Sequence, residues 1–230
     1  MEFSRRFLNR PAPLSTTADT VVVIDVLRSF TTAAVALAQG ALAVYPVEAP
    51  AAARSFCARM DRAVSVGALA GGDPVPGFDF GNSPSALSHA NLGGRNVVIS
   101  TAAGVRGLHL FRRVRRLYAA SLVCAAATAE AIRRAGSDEV CFVITGEWHD
   151  RDGDEDIACA DYLEAMLRGE SPAPDAFARR VWESDFGVRF SAGTWPNLPL
   201  ADLELGARAD LFGFAMAVQD DGGELVIRKS

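Results

Sequence analysis

The sequence predicts an α/β fold built on a mainly parallel sheet of about six strands with helices on both faces. Three observations predict it. Apolar, β-branched runs alternate with alanine-rich stretches of helical character through the first 170 residues or so. The runs are rich in Val and Ile without strict polar alternation, as strands buried on both faces require. Four segments place polar residues and glycine in the turn after a strand, at the rim where open α/β sheets bind ligands.

Taken in order, the expected strands are Val21–Val26, Ala43–Val47, Ala63–Val66, Asn96–Thr101, Leu117–Leu122 and Val140–Thr145. Between or after them the helical stretches are Thr32–Gln39, Ala49–Met60, Pro84–Ala90, Val105–Phe111, Ala125–Ala135 and Ile157–Leu167. This spacing suits right-handed crossovers between parallel strands. Further on, DAFARRVWESDF (Asp175 to Phe186) is expected as a helix capped by Asp175. Pro196 and Pro199 then place a loop before another helix or two, and GELVIRKS is expected as a short final strand at an edge. With no internal repeat or linker composition, one domain is expected over 1–230, with room for a smaller lobe over about 170–230.

Bulk composition narrows the function classes. The net charge of −5, from 23 basic and 28 acidic residues, argues against a nucleic-acid role. The local basic run Arg112–Arg116 follows a helix-like stretch, where cations suit the negative helix end. No apolar run is long enough to span a bilayer, and MEFSRRFLNRPAP lacks the apolar stretch of a signal peptide, so the expected location is cytoplasmic, with no membrane partner. Cys57, Cys124, Cys141 and Cys159 form no C-x-x-C pair and are expected as reduced thiols. Lys229 is the only lysine, which excludes Schiff-base chemistry on an interior lysine and a phosphate loop of the Walker type. There is no G-x-S-x-G, H-E-x-x-H or early G-x-G-x-x-G.

The chemistry is expected in the four rim segments. In VVVIDVLRSFTT (Val21 to Thr32) a carboxylate, Asp25, ends an apolar strand, with Arg28 and the hydroxyls of Thr31 and Thr32 close by in sequence. A buried, unpaired charge costs several kcal/mol or more, so Asp25 is expected to be paired, with Arg28 and nearby amides offsetting its desolvation. In GFDFGNSPSALS, Ser83 before Pro84 signals a helix start, and Gly81, Asn82 and Ser83 are candidates to hold an anion on its free amides; an ordinary capped helix is the alternative. In VVISTAAGVRG, Thr101 and Gly104 form a small-residue turn and Arg106 is a candidate for paired donation to phosphate or sulfonate. In TGEWHDRDGDEDIACADYL, carboxylates follow a strand directly, which suits a hard cation such as Mg²⁺, although a solvated acidic turn or helix-start charges would read the same way. Asp150, Asp152 and Asp154 there superficially resemble a calcium loop, but glycine falls at 153 and the pattern fails; His149 is the one histidine beside other polar residues. Anion recognition together with a divalent metal points to phosphate chemistry.

These four segments, in this order, resemble the 2-phosphosulfolactate phosphatase family over about residues 20 to 165, with a looser similarity at LGARADLFGFAM. The D-V-L-R-x-x-T-T and G-N-S-P elements are the specific ones. The resemblance implies a three-layer α/β/α fold, a Mg²⁺-dependent phosphatase that is often a homodimer, and the substrate (2R)-phospho-3-sulfolactate on the route to coenzyme M. The sequence departs from the family at three places: Gly67-Ala68-Leu69 stands where Gly-Glu-Arg is usual, Thr101-Ala102-Ala103-Gly104-Val105 where Thr-Thr-Asn-Gly-Thr is usual, and Cys124 where an asparagine is usual.

The expected function is therefore Mg²⁺-dependent hydrolysis of a small acidic phosphomonoester; the alternative is a catalytically impaired relative that binds an anionic metabolite or serves as an assembly partner. Asp25, Arg28, Glu155 and Asp156 are the expected catalytic residues, and Asp25, Glu155 and Asp156 the metal ligands. Thr31, Thr32, Gly81, Asn82, Ser83, Thr101, Gly104 and Arg106 are expected to bind substrate, with Asp25, Asn82, Thr101 and Glu147 gathered at the carboxyl rim.

Overall fold

A computed structural model describes residues 1–10, 15–148 and 151–230, so His149 and Asp150 lie outside the described residues. All six expected strands form: β2 (Thr20–Ile24), β3 (Ala43–Pro46), β4 (Ala63–Gly67), β6 (Asn96–Ser100), β7 (Arg116–Ala120) and β8 (Glu139–Ile144). Four more join them: β1 (Glu2–Phe7), β5 (Phe80–Gly81), β11 (Met216–Asp221) and β12 (Glu224–Lys229). Among the described residues the sheet thus holds ten strands rather than about six, in the order β1-β8-β2-β7-β11-β12-β3-β6-β4-β5. A separate antiparallel pair joins β9 (Glu147–Trp148) and β10 (Arg151–Asp152).

The sheet consists of two parallel halves joined by an antiparallel hairpin. β1, β8, β2 and β7 pair in parallel, as do β3, β6, β4 and β5. β11 runs antiparallel to β7 and to β12, and β12 meets β3 through Ile227 and Val44. The last strand is therefore central, not at an edge. Leu225, Val226 and Ile227 are all buried, so successive side chains are covered on both faces, which an edge would not provide. Gly222 and Gly223 turn the hairpin with φ of +64° and +97°, the two positive values that a two-residue connection of this twist needs. β1 is a charged edge strand, and its Arg5 pairs with Asp161 and Glu164. Charge on an edge strand is a common guard against stray pairing, and it hides the strand from a search for apolar runs.

Helices cover both faces. On one, α1 (Ser29–Ala38) and α4 (Ala103–Leu110) pack with Val21 and Val23 of β2 and with Val97 and Ile99 of β6, so both halves of the sheet share one core. On the other, α5 (Ala125–Arg134), α6 (Asp154–Leu167), α8 (Asp185–Ser191) and α9 (Leu200–Gly206) meet Val22, Ile24, Phe142 and Ile144. α2 (Pro50–Ala58) covers Val98 through Ala53 and Phe56. α3 (Pro84–Leu87) is a single turn. The helix expected over Asp175–Phe186 splits into α7 (Pro174–Glu183) and α8, because Ser184 turns extended and its hydroxyl caps Gly187. One helix, α9, follows the prolines; the apolar stretch after it becomes β11. Among the described residues no helix is long and apolar enough to cross a membrane.

Candidate active site

Residues that follow the parallel strands converge on one cavity of about 360 Å³. Asp25 follows β2, Ala68 to Gly72 follow β4, and Asn82 follows β5. Thr101 to Ala103 follow β6, and Thr145 and Gly146 follow β8. Phe186, Arg189, Trp195 and Leu198 supply a facing wall, with Arg151 of β10 beside them. The three antiparallel pairings make β3 run opposite to β7, yet residues that follow strands of both halves line this one cavity.

Asp25 sits on the cavity wall and is 6% exposed. Its backbone N–H donates to the Ala120 carbonyl, continuing the ladder of β2 with β7, and its Oδ1 accepts from the Ser29 N–H at 2.9 Å. The chain places this carboxylate at the start of α1, where unpaired backbone N–H groups favour negative charge. The start of α4 is equally close: a Cβ on Gly104 would lie 2.7 Å from Asp25 Oδ2, so only glycine fits there without displacing the carboxylate. Gly104 thus makes room for Asp25 and lies outside the cavity lining. The expected Asp25–Arg28 pair does not form, because the Arg28 guanidinium reaches away to Asp202.

Glu155 and Asp156 occupy the first turn of α6 and are each 1% exposed. Asp156 is heavily engaged: Oδ1 accepts from Val26 N–H, and Oδ2 from the N–H groups of Thr145 and Gly146 and from the Thr145 hydroxyl. It ties the ends of β2 and β8 to α6, and with both oxygens so occupied it is a positioning group more than a free metal ligand. Burial and the adjacent Glu155 and Asp25 carboxylates nonetheless hold its proton affinity well above the usual carboxylate range. Glu155 differs. Its Oε1 lies where a side chain on Gly146 would reach, and its Oε2 is buried without a partner. Burial, aided by the nearby Asp25, pushes its carboxyl up to about 7.

That shift has a direction in pH. The folded protein holds the Glu155 proton more tightly than the unfolded chain, so the associated stability is complete below about pH 4.5 and is lost as pH rises through 7. Glu155→Gln removes this titration. In the presence of a chelator, the variant is expected to match wild type near pH 4.5 and to exceed it by about 3 kcal/mol above pH 8. Urea unfolding across that range checks it; a difference independent of pH would show that Glu155 ionises without penalty.

Arg28 lines the cavity but is only 5% exposed, and its donors are committed. Nη1 donates to Asp202 Oδ2 at 3.0 Å and to the Asn197 carbonyl, and Nη2 to the Gly72 carbonyl. It fastens two walls of the cavity together, and the Leu27–Arg28 peptide that carries it is cis. The other Asp202 oxygen accepts from the Ser83 hydroxyl and from the N–H and hydroxyl of Ser85. Ser83 also caps α3 by accepting from Ala86 N–H. The helix start expected to hold a substrate anion is therefore filled by the chain's own carboxylate.

The remaining expected residues divide. Thr101 lines the cavity and accepts from the Ser29 hydroxyl, and Asn82 lines it with Oδ1 buried and unpartnered. Thr31 is fully buried and bonds Val26 O and Ser121 Oγ, so it braces α1. Thr32 is also fully buried and outside the cavity lining. Half-buried Gly81 lies outside it too and packs on Pro74. Arg106 is exposed on α4 and does not reach the cavity, and Glu147 pairs with Arg10. Within the basic run, Arg112 pairs with Asp220 and Arg116 with Asp19, so these cations have structural partners. Of the three departures, Ala68, Leu69, Ala102 and Ala103 do line the cavity, whereas Cys124 is buried at the N-cap of α5 with its thiol pushed up to about 11 by burial. Sequence reasoning missed Asp202, Arg151 and Arg189. Arg151 lay in the acidic segment already singled out; the other two lie in the less regular tail.

The family model described as 2-phosphosulpholactate phosphatase matches residues 8–185. The chain belongs to the 2-phosphosulfolactate phosphatase family. Relatives named probable 2-phosphosulfolactate phosphatase include one from Gloeobacter violaceus, 35% identical over 175 residues that span 74% of this chain and 73% of the relative. Those from Carboxydothermus hydrogenoformans and Thermus thermophilus are 37% and 36% identical, over 64% and 65% of this chain. These two alignments span 60% and 62% of the relatives' own lengths. The stretch matching the family model contains Asp25, Glu155 and Asp156, while Asp202, Arg189 and Trp195 lie beyond its end.

Proposed function

We propose that this member of the 2-phosphosulfolactate phosphatase family hydrolyses a small phosphomonoester in a Mg²⁺-dependent reaction, with an acidic ester such as 2-phosphosulfolactate as the reference substrate. One observation carries the reading: Asp25 on the cavity wall and Glu155 close by are two interacting buried carboxylates, and Glu155 Oε2 has no partner. Such an oxygen calls for a cation, a proton or a hydrogen-bond donor, and of these a cation also offsets the like charge of Asp25 and Glu155. Among the described residues no three His, Cys, Asp or Glu side chains group as metal ligands. Mg²⁺ asks for less, since one or two carboxylates and retained waters suffice, so Asp25 and Glu155 fit it. When bound, the ion would neutralise charge developing on the transferring phosphoryl group.

The chain's own groups account for the rest. Arg151 and Arg189 line the cavity, and their positive charge there favours a phosphate. Ala102 and Ala103 bring the start of α4 to the wall, where backbone N–H groups favour an anion. Asn82 and Thr101 add side-chain polar groups. Asp156 fixes the strand ends, and Asp202 with Arg28 fixes the opposite wall. A second reading, binding of an anionic metabolite without turnover, draws on Ala68, Ala102 and Ala103, which offer no side-chain donor where they line the cavity. Phosphate release from 2-phosphosulfolactate and simple phosphomonoesters, with Mg²⁺ and with chelator, separates the two. Mg²⁺-dependent release is the expected result; binding of the ester with no release under either condition would favour the second reading.

A further inference from the structure

A second cavity, of about 300 Å³, is lined by Arg62, Asn91, Gly93 and Arg95. It lies at the starts of two strands whose ends feed the active cavity. Ala63 of β4 and Asn96 of β6 are partners in register, so Arg62 and Arg95, each one residue earlier, stand side by side where the strands begin. Ala68 and Thr101, just past the far ends of the same strands, line the active cavity. At about 3.3 Å per residue, the strands hold the two cavities roughly 20 Å apart.

The lining offers positive charge and donors, and no carboxylate. Among the described residues neither guanidinium forms an ion pair. Arg95 Nε donates to the Arg62 carbonyl at 3.5 Å, and Asp79, which feels the Arg95 charge, accepts from the Ser65 N–H and hydroxyl instead. Two like charges are thus set beside each other with nothing of the chain's own to offset them. Asn91 Oδ1 accepts from the Gly93 N–H, which leaves the side-chain amide's own donors for a ligand. The loop that carries these groups is fixed in place: Leu92 is buried, Gly94 N–H donates to the Gly40 carbonyl, and Leu42 N–H donates to the Arg95 carbonyl. Arg62 has a further mark. Its φ is +56°, in the left-handed region that residues with a Cβ rarely adopt. Glycine would make that turn with less strain, so a long cation kept there points to a use for the cation.

We infer that this cavity binds a free tetrahedral dianion, phosphate or sulfate, as a site separate from the active cavity and independent of the phosphatase reading. Each guanidinium fork can take two oxygens and the Asn91 amide adds further donors, so four bare oxygens suit the site better than the three of an ester or phosphonate. No apolar side chain is present in the lining to receive an organic body. Amide NMR of the full chain at mildly alkaline pH, with chelator present to suppress Mg²⁺-dependent binding elsewhere, follows the Gly93 N–H and the Asn91 side-chain amide. Inorganic phosphate and sulfate are expected to shift these signals with dissociation constants of about 1 mM, and the tighter of the two names the ligand. Phenylphosphonate is expected to bind there about tenfold more weakly, for want of one charge-assisted bond. In Arg62→Gln and in Arg95→Gln, binding of both ions is expected to weaken by about tenfold or more. Without anion each variant, relieved of one of two like charges, is expected to melt at or above wild type, while wild type gains more from added phosphate. Four results would each overturn the inference: no shift beyond that of chloride at equal ionic strength, binding unmoved by both variants, phenylphosphonate binding as tightly as phosphate, or anion-free variants that melt well below wild type.

Discussion

Asp202→Ala is expected to destabilise the protein by about 3–5 kcal/mol, the loss typical of removing one partner from a buried ion pair. Asp202 is fully buried and the Arg28 side chain is 4% exposed, so the guanidinium left behind cannot recover its hydration. The other carboxylate oxygen accepts from Ser83 and Ser85, whose donors would be stranded as well. Asp202→Asn keeps acceptor capacity at one oxygen and should cost less. Urea denaturation at neutral pH measures both variants. A loss below about 1 kcal/mol for the alanine variant, the range of an exposed pair, would mean that Arg28 finds another acceptor, and the view of this pair as a fastening between cavity walls would be wrong.

Asp25→Asn is expected to divide stability from activity. The side chain's recorded protein partner is the Ser29 N–H, and an asparagine oxygen can accept that bond equally well. Removing the charge also relieves repulsion with Glu155 and Asp156, whose proton affinities Asp25 helps to raise. The metal-free variant should therefore melt at or above wild type. Its Mg²⁺-dependent turnover should fall about 10²–10³-fold, the loss typical when one preorganised electrostatic group is removed from a transition state. Thermal melting of both proteins, each with and without Mg²⁺ and phenylphosphonate, gives the second readout: the ligand-dependent rise should vanish in the variant. A variant that melts far below wild type and still shows the full rise would make Asp25 an architectural residue.

The contrast between these two carboxylates shows what was legible in the sequence. Asp25 announced itself because it interrupts an apolar run at a strand end, a local signal that a one-dimensional reading can detect. Its neighbours were misassigned for an equally physical reason. Arg28 is three residues from Asp25 in sequence, but its partner is 174 residues away, and proximity along the chain says nothing about which acid a folded guanidinium reaches. The helix start at Ser83 was correctly read as a capped turn, with Ser83 Oγ accepting from Ala86 N–H, yet its free donors were already taken by Asp202. Thr31 looked like a ligand hydroxyl and is a buried brace. Six of the parallel strands were readable to within two residues because burial on both faces imposes a continuous apolar run. β1 escaped because its edge position tolerates charge, and β11 because an apolar stretch with glycine after a helix reads as more helix.

The central position of the C-terminal hairpin bears on how the chain is assembled in time. Every strand of both parallel halves is synthesised before β11 and β12, yet only those two strands connect β7 to β3. The halves must wait, each with an open row of backbone donors and acceptors where the other will eventually stand. Exposed rows of that kind invite pairing with foreign chains, and their closure depends on contacts that are distant in sequence and therefore slow to form. Insertion of the hairpin then completes the ladder and buries Val44 and Ile227 against each other. Contacts outside the ladder also span the halves, since α1 packs with strands of both, Ser29 reaches Thr101 and Arg28 reaches the Gly72 carbonyl. The helical layer and the cavity wall therefore offer the two halves a way to meet before the backbone ladder between them is closed.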